Sequence, residues 1–151
     1  MKIVIQRVTH AAIEVNQATI SSIEKGLLVL AGFEHNDTQD DFDWICKKII
    51  QLRIFDDENG HMNVSCKDIE GEILVVSQFT LFASTQKGNR PSYIKAAPPE
   101  MAKNMYNQFV LTLQGNYRPN LIKTGLFGAS MQITLLNNGP VTIIIDSKNR
   151  S

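Results

Sequence analysis

Short apolar runs rich in β-branched residues open the chain. Ile3 and Ile5 alternate with Val4 and Gln6 between Lys2 and Val8, and Ala11 to Val15, Thr19 to Ile23 and Leu27 to Phe33 continue the pattern, which predicts a β-meander. The period then changes. Asp37, Thr38 and Asp41 resemble a capping box, and Phe42, Ile45, Ile49 and Leu52 recur at helical spacing, so an amphipathic helix is expected there. After an acidic turn at Asp56 to Gly60, Glu72 to Phe82 reads as a buried central strand whose end carries polar Gln78 and Thr80. Ser84 to Ala97 is a loop. Pro99 opens a second helix, with Ala102, Met105, Tyr106, Phe109 and Leu113 as its apolar stripe. Beyond the break at Gly115 to Pro119, the expected finish is a hairpin: a strand from Met131 to Leu136, a turn from Asn137 to Pro140, and a strand from Val141 to Ile145. Two helices among many strands, without regular strand-helix alternation, predict an α+β roll or barrel-like set of mixed sheets rather than a doubly wound sheet.

A chain of 151 residues, 43% of them hydrophobic, buries one core and is too short for two, so a single domain over 1–151 is expected. Fifteen basic residues balance fifteen acidic ones, which leaves no broad electrostatic footprint for long nucleic acid. Any RNA contact is therefore local, and no DNA partner is expected. Cys46 and Cys66 lie far apart and match no metal or redox spacing, which suits two unpaired thiols in a reducing compartment. Lys2, Gln6 and Arg7 interrupt the first apolar residues as no signal peptide would, and no segment approaches transmembrane length. A cytoplasmic protein without a membrane partner is the expectation.

Familiar catalytic devices are missing: there is no nucleophile elbow, no phosphate-cradling glycine loop and no metal spacing. His10, His35 and His61 are scattered and read as surface residues, and the turn at Asp56 to Glu58 reads as a solvated loop rather than a cation site. Two segments stand out. Ser77, Gln78, Phe79, Thr80 and Leu81 place polar groups at the end of an otherwise buried strand, where an unpartnered hydroxyl or amide costs about 1–3 kcal/mol. Such groups need partners within the sheet or a ligand. Asn137 to Thr142 combines a Gly that permits unusual φ with a Pro that removes a donor, as a plain tight turn or a functional one would.

At these two segments the sequence resembles the D-aminoacyl-tRNA deacylase family, whose hallmarks are a Ser-Gln-Phe-Thr-Leu strand end and an Asn-x-Gly-Pro-x-Thr turn. The likeness runs nearly end to end, through Ile5-Gln6-Arg7-Val8, Leu52-Arg53-Ile54-Phe55, Lys87-Gly88-Asn89-Arg90-Pro91-Ser92 and Thr124-Gly125-Leu126-Phe127-Gly128-Ala129. It implies a cytoplasmic homodimer that hydrolyses the ester of D-aminoacyl-tRNA, and of glycyl-tRNA, at the tRNA 3′ end, with no cofactor and no metal. By the same resemblance, Gly139-Pro140 is a cis peptide that enters the partner subunit's pocket and rejects L-amino acids, and Arg7 steadies it. The pocket would be lined by Ser77, Gln78, Phe79, Thr80, Ala102, Phe127 and Met131. Ala102, Phe127 and Met131 also fit ordinary core packing.

Two mechanisms are open. Either the Thr80 hydroxyl attacks, or main-chain groups near Phe79 and Thr80 hold the ester while the RNA 2′-OH helps activate water. The second is favoured, because no His, Lys, Asp or Glu neighbours Thr80 in sequence. A sister group acting on L-alanyl-tRNA departs in the first motif, away from Ser77 with Phe79. A noncatalytic nucleic-acid-binding module is the alternative from another class.

Overall fold

The computed structural model describes residues 1–151, with two helices and mixed sheets that form a nearly closed barrel. Strands β1 (Lys2–Val15), β2 (Ala18–Ile23) and β3 (Gly26–Gly32) come first. Helix α1 (Gln39–Gln51), the small ribbon β4 (Phe55–Asp56) and β5 (Met62–Val64), and β6 (Glu72–Ser77) follow. A 3-10 turn at Phe79–Phe82, helix α2 (Pro99–Asn116), β7 (Ile122–Thr124) and β8 (Gln132–Asp146) complete the chain. No helix is long and apolar enough to cross a membrane.

β1 organises the sheet. Its first half, Lys2–Val8, pairs antiparallel with β3, and its second half, Ala11–Val15, pairs with β2 through a two-residue turn. Asn16 and Gln17 carry φ of 49° and 65° in that turn, the left-handed pair whose twist matches a hairpin. The expected meander is corrected here, since β3 returns to β1 and not to β2. The pairing of β1 with β8 shifts register between Val8 and His10, where this division falls. Ile3 and Ile5 face the core beneath the helices, whereas Val8, Ala11 and Ile13 face a second, smaller core inside the barrel. β3 and β6 are buried on both faces, as parallel strands are: Leu27, Val29, Ile73 and Val75 point to the helices, and Leu28, Leu74 and Val76 to the barrel interior.

Two further expectations need correcting. β6 ends at Ser77 and the chain turns into the 3-10 segment, so no strand reaches Phe82. The C-terminal hairpin is one continuous strand instead. β8 pairs with β1 from Glu14↔Gln132 to Lys2↔Asp146, and Asn138 to Val141 leave the ladder between Val8↔Asn137 and Gln6↔Thr142. The Asn-x-Gly-Pro signal marks an excursion from one strand, because both flanks find their partner in β1 and not in each other.

Thr38 caps α1 with the capping box read from the sequence: Asp41 accepts the Thr38 N–H at 2.8 Å. Asp41 is nearly buried, which by itself would raise its pKa; the Lys148 ammonium at 2.7 Å, the Ser147 hydroxyl and the Thr38 groups override that and hold it well below the usual carboxylate range. The Met1 α-amino group lies beside them, bonded to Asp37 and to Ser147. Cys46 and Cys66 are free and buried, and burial pushes both thiols up to about 12.

Candidate functional site

An apolar cavity of about 720 Å³ opens where the C-terminal ends of β3 and β6 meet the start of α2 and the segment before β8. That volume lies within the range of small-molecule sites. Gly32 permits it: a Cβ there would stand 2.8 Å from the Gln78 carbonyl oxygen and 3.2 Å from Leu81 Cβ, so a larger residue would push the 3-10 turn away from β3. The Gln78 N–H still donates to the Ala31 carbonyl at 2.8 Å, after which the chain departs from the sheet.

Polar groups at this departure are few. Phe79 and Thr80 are the first residues of the 3-10 turn, so their N–H groups have no carbonyl within it. The Gln78 side-chain amide donates to the Thr80 hydroxyl, and the two thereby satisfy one another. Ser77 is half-buried and lines the cavity. Of the residues named from the sequence, Ser77, Gln78, Phe79, Ala102, Phe127 and Met131 line it together, and Thr80, bonded to the Gln78 side chain, is not among the lining residues.

α2 and β6 fix the far wall. Pro98 and Pro99 start the helix, and Ala102 on its first turn is buried at the cavity. One turn on, the Tyr106 hydroxyl donates to the Val75 carbonyl at 3.0 Å while its ring leans on Phe127, centroids 5.7 Å apart. Burial pushes the Tyr106 hydroxyl up to about 12, which keeps it a donor at every working pH. No Asp, Glu, His, Lys, Arg or Cys lines the cavity. Gly32, Phe33, Tyr93, Ala96, Ala97 and Ile133, which the sequence reading did not name for the pocket, line it as well. Of these only Gly32, closing a continuous apolar strand, carried a local signal. His10, His35 and His61 are exposed, and Asp57 spends one carboxylate oxygen on the N–H groups of Asn59 and His61, at 2.9 and 3.0 Å.

Arg7, Gly139 and Pro140 form a separate cluster. The Gly139-Pro140 peptide is cis, with Gly139 at φ 140°, and both residues are exposed. Asn137 closes the base of the excursion, its side-chain oxygen accepting the Val141 N–H at 3.0 Å and its amide donating to the Thr142 hydroxyl at 3.1 Å. Those two bonds account for the Asn and Thr that bracket the motif. Arg7 is only 6% exposed; its Nε donates to the Asn138 carbonyl at 2.9 Å and its Nη1 to the Ile54 carbonyl at 2.7 Å, which ties the excursion to the segment entering β4. The ladder registers separate the two clusters. Ser77 aligns with Ala31, and Arg7 with Leu27, four residues back along β3. β8 stands three strands across from β6, through β3 and β1. At ~3.3 Å per residue and ~4.8 Å per strand, the excursion lies roughly 20 Å along the sheet from the cavity of its own subunit.

Comparison with known proteins places these features in a family. The family model described as D-Tyr-tRNA(Tyr) deacylase matches residues 4–146. A D-aminoacyl-tRNA deacylase of Flavobacterium johnsoniae is 57% identical over 150 residues, covering 99% of both chains. A protein of the same name from Bacteroides fragilis is 56% identical over an equal span. Among solved structures, a c-Myc DNA unwinding element binding protein superposes with a TM-score of 0.92 at 47% identity, over 97% of this chain and 98% of its own. A probable eukaryotic D-amino acid tRNA deacylase shares the fold with a TM-score of 0.83 at 14% identity, over 95% of this chain and 97% of its own.

Proposed function

Since the chain belongs to the D-aminoacyl-tRNA deacylase family, hydrolases that act on aminoacyl-tRNA, we propose that its apolar cavity receives the aminoacylated 3′-terminal adenosine with the ester at the Ser77–Thr80 turn. The observation that carries this reading is the cavity's chemistry: apolar walls, a serine hydroxyl, a glutamine amide and the Phe79 main-chain N–H left free at the start of the 3-10 turn, with no Asp, Glu, His, Lys, Arg or Cys among the lining residues.

The Phe79 and Thr80 N–H groups receive the ester carbonyl oxygen as it gains charge, a role in which fixed main-chain donors lower the barrier most. Ser77 and Gln78 orient the ester. The vicinal 2′-OH of the terminal ribose activates a water molecule, whose oxygen bonds to the carbonyl carbon. The bond from that carbon to the 3′ oxygen breaks, the 3′ oxygen takes a proton, and free tRNA and a D-amino acid leave. Thr80 does not attack in this scheme: no base stands beside it, and its hydroxyl is engaged by Gln78.

Chiral selection falls to Gly139 and Pro140 of a second subunit. Their carbonyl oxygens occupy the space an L side chain would need, Arg7 steadies them, and glycine passes for want of a side chain. The roughly 20 Å between the excursion and its own cavity, together with its exposure, supports a contribution across a homodimer. The enzyme would act in the cytoplasm, where charged tRNA is used. Matched D-, L- and glycyl-tRNA incubated with the protein test the reading: D and glycyl esters are lost and the L ester persists. Equal loss of D and L esters refutes the chiral assignment, and tRNA binding with every ester intact would favour a noncatalytic nucleic-acid module.

A further inference from the structure

Two aromatic rings stand exposed at the cavity mouth where a buried site has no need of them. Phe79 is 56% exposed and Tyr93 38%, with ring centroids 4.9 Å apart and planes at 75°, and both line the cavity. The neighbouring Ile94 is 84% exposed. Edge-to-face contact holds the pair without burying it, so a hydrophobic ledge continues the cavity wall into solvent.

The loop that brings Tyr93 there is basic. Ser84 and Ser92 exchange main-chain hydrogen bonds at 2.8 and 2.9 Å, which closes the residues between them into a tight projection. From Ser84 to Ala97 the chain holds Lys87, Arg90 and Lys95 and no acidic residue. All three cations are exposed, and none forms an ion pair within the protein. In a chain of zero net charge, this is a local concentration of unpaired positive charge beside exposed rings. Single-stranded nucleic acid is recognised by that combination, with bases stacked on aromatic rings and phosphates held by Lys and Arg.

We infer that the Phe79–Tyr93 ledge is a stacking platform for the unpaired nucleotide preceding the terminal adenosine, and that Lys87, Arg90 and Lys95 hold the phosphates leading to it. The inference rests on the cavity accepting the aminoacyl-adenosine, because it fixes where the preceding nucleotide emerges. The ledge would then supply binding energy from a part of the substrate that does not react. Apolar walls take the adenosine, and the ledge lets the enzyme distinguish an aminoacyl ester on tRNA from one on a free nucleoside.

The test uses three substrates carrying the same D-amino acid: full-length tRNA, tRNA abasic at the penultimate position, and the 3′-aminoacyl-adenosine alone. Tyr93→Ala should raise KM for full-length tRNA about 5- to 150-fold, the range for loss of one base–aromatic stack, with kcat little changed. Because Tyr93 also lines the cavity, its loss on aminoacyl-adenosine sets the baseline, which the KM rise on full-length tRNA should clearly exceed, and Tyr93→Phe should restore the tRNA KM. The abasic tRNA should show a raised KM with wild type and no further rise with Tyr93→Ala. An equal loss on tRNA and aminoacyl-adenosine, or an abasic tRNA handled by wild type like the intact one, overturns the platform. Failure of wild type on every ester would instead overturn the reading of the cavity.

Discussion

Gly139→Ala confronts the excursion with a defined strain. A Cβ at this position would sit 2.9 Å from both the Val141 main-chain nitrogen and Val141 Cγ2, and 3.2 Å from Arg7 Nη2. The contact with a main-chain nitrogen cannot be relieved by rotating a side chain, and φ of 140° adds a conformational cost of about 1–3 kcal/mol for a residue with a Cβ. Because residues 138–140 are exposed, the cheaper response is to move the excursion and give up the charged hydrogen bond from Arg7 to the Asn138 carbonyl, worth about 1.5–3 kcal/mol. The loss of stability is bounded by that figure, which for a chain of this size corresponds to about 3–12 °C in Tm. The effect on selectivity has the same bound. Under the proposed chiral assignment an L substrate enters a wild-type site only by displacing the excursion, so a variant that has already released it should give up about 10- to 150-fold of the D-to-L ratio. Initial rates on D- and L-aminoacyl-tRNA, with a melting curve of the same sample, measure both quantities. Arg7→Lys should act on the same bond, and the double variant should fall well short of the sum. A melting shift of the expected size with an unchanged D-to-L ratio would refute the assignment, since stereochemistry would then be read where the excursion does not reach.

Thr80→Ala should lower kcat/KM by less than about tenfold, because it removes only the partner of Gln78, whereas Ala102→Phe should abolish turnover by filling the cavity; a Thr80→Ala enzyme that folds, binds tRNA and falls to the uncatalysed rate would make Thr80 the nucleophile. With no Asp, Glu, His, Lys, Arg or Cys lining the cavity, log kcat/KM should rise with pH along a single limb, and a bell between about pH 5.5 and 8.5 would reveal a side-chain acid-base pair. Asp41 has a folded-state pKa depressed below its unfolded value near 3.9, so its contribution is present above about pH 4 and lost as pH falls further. Asp41→Asn should therefore destabilise the protein by about 1–2 kcal/mol at pH 7 and progressively less on acidification, as urea unfolding across pH would show; a pH-independent difference would contradict the ion-pair account.

Local pattern was enough for whatever local forces decide. The α1 capping box, the Pro99 start of α2 and the two-faced apolar strands β3 and β6 are legible because propensity and periodicity agree there with the final packing. Long-range pairing was not legible. Nothing within Met131 to Ile145 reveals that both flanks of Asn137 to Pro140 lie against one 14-residue strand at the other end of the chain. β7 has only three residues, too few for any period to show. Ser77 to Thr80 were visible because polar groups closing an apolar run demand an explanation. Tyr93 and Ala96, in a loop without periodicity, join the cavity through folding alone.

The pairing of Lys2 with Asp146 also has a consequence in time. During synthesis β1 is made first and must wait for β8, more than a hundred residues later, which at ribosomal speeds is on the order of ten seconds. Until then the long edge of β1 that β8 will take has no partner, and ladders closed over such a sequence separation are slow to form. The excursion bearing Gly139 and Pro140 arrives with that last strand. Ile133 of the same strand closes the cavity wall, so the cavity and the excursion are completed together, and an interrupted chain is exposed along the edge most prone to pair with another copy.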